Sequence, residues 1–500
     1  MKKLFISQAQ EKSYMDDVSI VGGGIAGLYS AYQLINRYPN LRISIYEALP
    51  FLGGRIQTQS FCNGKIISEF GAHKIDPEIQ SLTTSLIKEL DLTTIPIAYK
   101  KTSGLKTPII QFLTSEEKQI ILDNQNPSLS LIKFALKKIL GEQWDIDNDN
   151  FEREDRNILK RALRLNGTYN EIPLHQQGIW NVLSEVLSYE ACDFLREKSA
   201  SYNMKNVNQN AADWINLLVD ICAIRQAPFK LKDGMATLIT ALKDILEKKG
   251  ISVKLQQKIT KLKEIAPGII ELEILNGKIL QKINTKRVIL AIPKASLLKL
   301  SSSLPEKIRN HLTAVEEVSL TWITCISEIN KSTLNNFDLS IYGGDQIPVR
   351  MGFFEIFKDS PTKLISQFYC DYPWTSYWSA LTNNYYEEAS NIQQIKPILD
   401  PERLKNPIVK MLETVFPIIE PKILEWGIRE WGREPFCGGK HVWKAKVQSE
   451  KIMKKFEIFS LISNQTTRNI HICGEAYSSC QGYIEGALLS VERVLRSIEK

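Results

Sequence analysis

The sequence predicts an α/β fold in which an open-sheet unit is assembled from separated stretches of chain. A second, α+β unit is built from the insertions between them. Three observations predict this. A glycine-rich turn and a helix join two short apolar strands near the N-terminus. Further short apolar strands ending in Gly or Pro recur in the middle and at the end of the chain. Between them lie a long helical stretch, residues 110–220, and an alternating aromatic stretch, residues 318–378.

Residues 16–22, DDVSIVG, give a charged start and then a short apolar run, as a buried strand does. Gly22-Gly23-Gly24-Ile25-Ala26-Gly27 leads into a helix over Leu28 to Arg37, which Pro39-Asn40 breaks. Leu41 to Glu47 alternates as a second strand. Together these make a β-α-β unit of about 30 residues, the size of a right-handed parallel crossover. Residues 110–220 read as helices with polar breaks at 145–150 and 165–167, and Trp180 to Leu195 carries a 3.6-residue period. Phe229 to Leu262 reads strand, turn, helix, strand, with Gly250 as the helix stop. Arg287 to Pro293 is another buried strand, residues 397–425 read as helical, and 470–498 as strand, loop, helix. The open-sheet unit is therefore expected from residues 15–76, 225–300 and 426–500. The second unit is expected from 77–224, largely helical, and 301–425.

Composition narrows the function classes. The 500 residues suffice for two or more domains. Apolar residues make up 43% and charged residues 24%, a soluble globular balance. The net charge of +7 is mild over this length, and no dense Lys/Arg block with interleaved aromatics argues for a nucleic-acid partner. The eight cysteines form no CxxC pair and no zinc spacing, so no metal is expected and a reducing compartment is. Met1 to Ile6 begins like a signal peptide but turns polar at Ser7, short of the roughly 7–15 apolar residues required. No segment approaches the ~20 apolar residues of a membrane span. A cytoplasmic location is the expectation.

Gly22-x-Gly24-x-x-Gly27 carries the first chemistry. Gly22 permits a tight turn, Gly24 lets a pyrophosphate approach the backbone, and Gly27 lets helix and strand pack closely. The helix N-terminus, with Ile25 and Ala26, offers free N–H groups and the positive dipole end to phosphates. Glu47, 20 residues after Gly27 with Ala48 beyond it, has the spacing of a carboxylate that accepts from an adenosine ribose. Gly53-Gly54-Arg55 suits a second backbone approach to pyrophosphate, with Arg55 supplying charge. Near the C-terminus, Gly474-Glu475 ends a strand and Gly482-Tyr483-Ile484 opens a helix. That helix N-terminus suits a bound group on which negative charge develops.

Together these segments resemble the FAD-dependent amine oxidase family, which includes monoamine oxidases, polyamine oxidases and L-amino-acid oxidases. Glu69 to Ile75, with Gly71, Ala72 and His73, resembles the family's segment beneath the isoalloxazine ring. Leu231 to Leu238 resembles its glycine-methionine turn, Ile259 its adenine contact, and Trp431 to Gly439 its late flavin-site segment. The resemblance implies a Rossmann-like FAD-binding domain in discontinuous segments, with a substrate domain of antiparallel sheet and helical insertion. It implies an oxidase that takes hydride from the α-carbon of an amine, most closely an L-amino acid. The products would be an imine or oxo compound, ammonia and hydrogen peroxide, with oxygen as acceptor. A desaturase, an amino-acid monooxygenase and a non-catalytic flavoprotein binding partner are the alternatives. A homodimer is allowed and not specified.

The chain also departs from that family. Lys440 stands where some monoamine oxidases bond FAD to cysteine, which implies non-covalent FAD. His441 replaces one aromatic wall of the substrate cage and Tyr483 keeps the other. Thr324 aligns with a lysine that many members use to hold a water, and no lysine lies between Val318 and Glu328. Lys74 resembles the place of the arginine that binds the substrate carboxylate in L-amino-acid oxidases, with Arg350 and Lys440 as other candidate cations. The run Asp371 to Trp378 either lines an aromatic pocket or packs as sheet and turn, the second being favoured. His175 reads as a surface or capping residue.

Overall fold

The computed structural model describes residues 15–97, 103–104, 112–124, 126–141, 153–198, 207–329, 340–344, 347–357, 359–360, 362–388, 397–415, 421–462 and 468–499. The signal-like N-terminus and the break at 145–150 lie outside the described residues.

Five short strands form one wholly parallel sheet, in the spatial order Ser252–Lys254, Ile43–Tyr46, Val18–Val21, Val288–Leu290, Ile470–Ile472. The strands Val18–Val21, Ile43–Tyr46 and Val288–Leu290 are buried along their whole length, as expected of a parallel sheet covered on both faces. Alternation divides their side chains. Ile20 and Ile45 point into a core shared with Leu28, Leu34, Leu242 and Val491 of the helices Ile25–Arg37, Ala236–Lys248 and Ile484–Ile498. Val21, Tyr46 and Leu290 point the other way, onto Leu272 and Ile274 of a three-stranded antiparallel sheet. The first helix starts at Ile25, three residues before the apolar pattern suggested, because its first turn is the glycine turn itself.

The second large sheet has seven strands, with Lys422–Glu430, Thr321–Glu328, Lys363–Cys370 and Ile347–Ile356 as its antiparallel centre. One face carries Ile323, Phe368 and Ile428 beneath the helices Trp374–Glu388 and Glu402–Val415. The other face carries Trp322, Met351 and Tyr369 against Phe70 and Trp431. Among the described residues, six helices between Ser115 and Cys222 bury a core of their own around Leu131, Leu136, Trp180, Leu183 and Leu218.

Three expectations are corrected. Strand stops at Cys370, and the run Trp374 to Leu381 is helical. Trp374, Trp378 and Leu381, spaced i, i+4, i+7, pack into one core, so these aromatics are structural. The helical reading of 397–425 shrinks to Glu402–Val415, because Lys422–Glu430 pairs with Thr321–Glu328. Trp180 to Leu195 is two helices, Ile179–Val186 and Tyr189–Lys198. Leu187 adopts extended backbone, and Ser188 Oγ accepts the Ala191 N–H to start the second helix.

Candidate functional site

The glycine turn leaves the C-terminal edge of the parallel sheet, where ligands of open α/β sheets bind. Gly22 donates its N–H to Tyr46 O and has φ +108°. An added Cβ there would stand 2.5 Å from Ala291 O. At Gly27 a Cβ would stand 1.9 Å from Gly22 O, so helix and turn touch backbone to backbone. Gly24 differs: a Cβ there would meet nothing within 4 Å. It faces a cavity of about 930 Å³.

A line of hydrogen bonds runs along the cavity wall. Glu47 Oε2 accepts the Gly23 N–H at 2.6 Å and Oε1 the Leu49 N–H at 2.8 Å. Burial raises the Glu47 carboxyl against the pull of these N–H groups. Gly53 N–H donates to Gly23 O at 2.9 Å, so the two glycine turns are fastened together, and Gly54 faces Gly24 with φ +58°. Arg55 Nη1 donates to Gly439 O and, at 2.9 Å, to Glu475 Oε2. Glu475 is the joint of the site. Its Oε1 accepts the N–H groups of His441 and Gly482, and its Oε2 accepts Arg55 and His441 Nδ1. Burial would raise the Glu475 carboxyl, but Arg55 and His441 hold it well below the usual carboxylate range. Arg55 and Glu475 are thus committed to each other, a partnership that motif spacing could not show.

Of the expected cofactor contacts, Gly22, Gly24, Ile25, Ala26, Glu47, Ala48, Gly53, Gly54, Arg55, Gly71, Ala72, His73, Ile259, Trp431, Gly474, Glu475, Gly482, Tyr483 and Ile484 line this one cavity. Gly27 stands behind it. Gly71 packs on Arg55 O, where a Cβ would stand at 1.9 Å, and Trp431 Nε1 donates to Phe70 O. His73 lies 4.8 Å from the Trp322 ring, and burial, with Lys74 and Lys230 adding, lowers it to about 3, so its ring is neutral.

Residues 25–494 match the Flavin containing amine oxidoreductase family, nearly the whole chain. The chain belongs to that family. FAD is the cofactor of this flavin amine oxidoreductase. Uncharacterized protein R188 of Acanthamoeba polyphaga mimivirus is 42% identical over 83 residues, 17% of this chain and 16% of that protein. Achacin of Lissachatina fulica is 24% identical over 311 residues, 57% of this chain and 55% of that protein. These matches therefore span about half or less of each relative. Among solved structures, wild-type putrescine oxidase bound to putrescine has a TM-score of 0.64 at 16% identity, covering 97% of this chain and 100% of that one. A double mutant of the same enzyme, redesigned at its cofactor site, gives 0.64 and 16%, covering 97% and 99%. This likeness carries the fold and nothing finer.

The wall suits FAD on its own geometry. Gly24 and Gly474 are open where a Cβ would fill the space, so backbone can approach a bound group closely. The helices that begin at Ile25 and Ile484 turn their first residues to the cavity, with no side-chain cap on either N-terminus.

The substrate-side expectations divide. Lys74 and Tyr483 line the cavity, and Lys74 Nζ lies 3.4 Å from Asp76 Oδ2. His441 does not stand on the wall. It is 0% exposed and its ring turns to Glu475. It sits in the strand Lys440–Trp443, where alternate residues point opposite ways, so Lys440 takes the cavity position instead. Thr324 is also off the wall: its hydroxyl lies 2.7 Å from Ser68 Oγ, which also accepts from Gln367. Trp322, two residues earlier on the same face, lines the cavity. Arg350 is buried on Asp371 and the Arg196 carbonyl, away from the lining. His175 lies in a short 3-10 turn whose carbonyl accepts the Lys446 N–H. Trp214 and Tyr369 also line the wall. No motif marks either, since each reaches the site through tertiary packing. Among the described residues no His, Cys, Asp and Glu cluster could hold a metal, and no helix is long and apolar enough to cross a membrane.

Proposed function

We propose that the protein oxidises an L-amino acid at its α-carbon. Amino acid, oxygen and water would give a 2-oxo acid, ammonia and hydrogen peroxide. The observation that carries this reading is the charge of the wall. Its three carboxylates are already engaged: Glu47 by Gly23 and Leu49, Glu434 by Lys299, and Glu475 by Arg55, His441 and Gly482. Its lysines are Lys74, Lys258, Lys299 and Lys440, of which Lys299 is held by Glu434, and the same wall carries Trp214, Trp322, Tyr369 and Tyr483. Such a wall favours a substrate with a carboxylate and an apolar side chain over a diamine such as the putrescine bound by the structural neighbour.

In this reading segments 15–76, 225–300 and 426–500 form a Rossmann-like domain that holds FAD, and the rest shapes the substrate site. Lys74 receives the substrate carboxylate as a point charge beside Asp76. Tyr483 flanks the reacting carbon, while Trp322 and Tyr369 close the site to water and orient the substrate. FAD, when bound, supplies the hydride acceptor. It is held without a covalent link, because Lys440 occupies the wall where a linking cysteine would stand and Cys437 is not on the lining. A second reading, a desaturase or monooxygenase of the same superfamily, draws support from Trp322, which takes the wall position on a strand without lysine.

The test is anaerobic mixing of the holoenzyme with amino acids, amines and polyamines, followed by a peroxide assay in air. Bleaching of the flavin band by amino acids supports the reading, and bleaching by none of the three classes sinks it. Lys74→Ala is expected to raise KM for the amino acid by tenfold or more, as loss of a charged hydrogen bond worth about 1.5–3 kcal/mol requires. An unchanged KM removes Lys74 from the carboxylate site.

A further inference from the structure

The wall of the cavity carries a buried cation, Lys440. Lys440 begins the strand Lys440–Trp443, is 8% exposed and lines the cavity. Its stem lies against Gly482, where an added Cβ would be 3.1 Å from Lys440 Cδ. Its Nζ lies 5.4 Å from the centre of the Trp214 ring. Gly482 precedes Tyr483 and the helix Ile484–Ile498, so Lys440 and that helix N-terminus share one end of the site. Glu475 and Asp371 both pull on Lys440, Glu475 while also holding Arg55 and His441, and Asp371 while also holding Arg350. Burial lowers the ammonium to about 8 against their pull, which still leaves it charged at neutral pH.

A charge in such a wall acts over several ångströms with little screening by water or salt. Reduction gives a flavin negative charge, and a nearby protein charge tunes its electronics. We propose that Lys440, held between Gly482 and Trp214, sets the reduction potential of the bound FAD by stabilising its reduced, negatively charged form. This rests on FAD as the cofactor and is independent of the amino-acid reading.

The experiment uses FAD-loaded enzyme without substrate. The potential is measured by equilibration with redox dyes in the native protein and in Lys440→Met, Lys440→Gln and Lys440→Arg. Sulfite serves as a second probe, since its addition to the flavin forms an N–S bond and leaves the ring system negatively charged. The neutral variants are expected to shift the oxidised-to-reduced balance at least tenfold toward oxidised, a fall of about 30 mV for the two-electron couple. Their sulfite dissociation constants should rise by a similar factor, and Lys440→Arg should restore most of both. A loaded neutral variant with native potential and native sulfite affinity overturns the proposal. So does loss of FAD from both neutral variants with retention in Lys440→Arg, which would make Lys440 an anchor rather than a tuner. Loss of FAD from all three variants overturns it as well, by making the site one of shape rather than charge.

Discussion

The two ends of the cavity are built by opposite means. At the glycine turns, neighbours in space are backbone groups of two short turns, and Glu47 ties to Gly23 across one β-α-β unit. Away from those turns, each wall residue arrives on a different element: Lys74 from a loop, Trp214 from a helix, Trp322 and Tyr369 from the antiparallel sheet, Lys440 from a late strand. The first end is specified by spacing along the chain. The second is specified by which face of each strand or helix the rest of the fold turns inward. The difference teaches where substitutions act locally and where they act through the fold.

Glu475 joins the two ends and is where the comparison breaks most easily. Glu475→Gln would turn an amide NH₂ toward Arg55 and His441 Nδ1, donor facing donor. Breaking a buried ion pair costs about 3–5 kcal/mol, so a large fall in thermal midpoint and loss of FAD are expected. Because the native carboxyl lies below its ordinary value, its contribution is present above the unfolded pKa of about 4.3. It fades as pH falls from there toward the folded value. The gap between denaturant midpoints of native and variant protein should therefore begin to narrow below about pH 4 and keep narrowing as pH falls further. A constant gap between pH 7 and pH 3 would remove Glu475 from this role.

Two glycines sharpen the comparison within the glycine turn. Gly27→Ala places a methyl 1.9 Å from Gly22 O and should cost about 1–3 kcal/mol by overpacking, with or without FAD. Gly24→Val projects into open cavity, so apo stability should stay within about 0.5 kcal/mol. FAD affinity should nevertheless fall more than a hundredfold, about 2.7 kcal/mol. Calorimetry of the apo proteins with FAD titration separates the two. Equal destabilisation of both apo variants would show that Gly24 packs rather than opens to a ligand.

This contrast explains what the sequence reveals. The parallel strands, the glycine turn and Glu47 are legible because their spacing is their geometry. Gly53, Gly474 and Gly482 are legible as glycines at turns, a strand end and a helix start, Gly71 by resemblance, and each lies on the cavity wall. His441 and Thr324 are not legible, because a one-residue change of face moves a strand side chain from cavity to interior. The pairing Glu317↔His441 and Val318↔Lys440, set by a strand over a hundred residues away, turns Lys440 to the cavity. Trp214 carries no signal at all: its helical periodicity marks a buried face without saying what that face touches.

Thr324 gives the smallest effect and the cleanest test of that last point. Its hydroxyl belongs to a chain in which Gln367 Nε2 donates to Ser68 Oγ, and Ser68 and Thr324 share a 2.7 Å hydrogen bond. All of it lies off the cavity lining. Thr324→Val keeps the branched shape and removes one hydrogen bond, a change of about 1 kcal/mol in stability. The anaerobic rate of flavin reduction by substrate and the rate of reoxidation in air should stay within about twofold, since a twofold change is only about 0.4 kcal/mol of barrier. Trp322→Ala, on the same face two residues earlier, should change both rates by more. A tenfold loss of reoxidation in Thr324→Val, with Trp322→Ala near native, would instead place the oxygen-reactive position at Thr324.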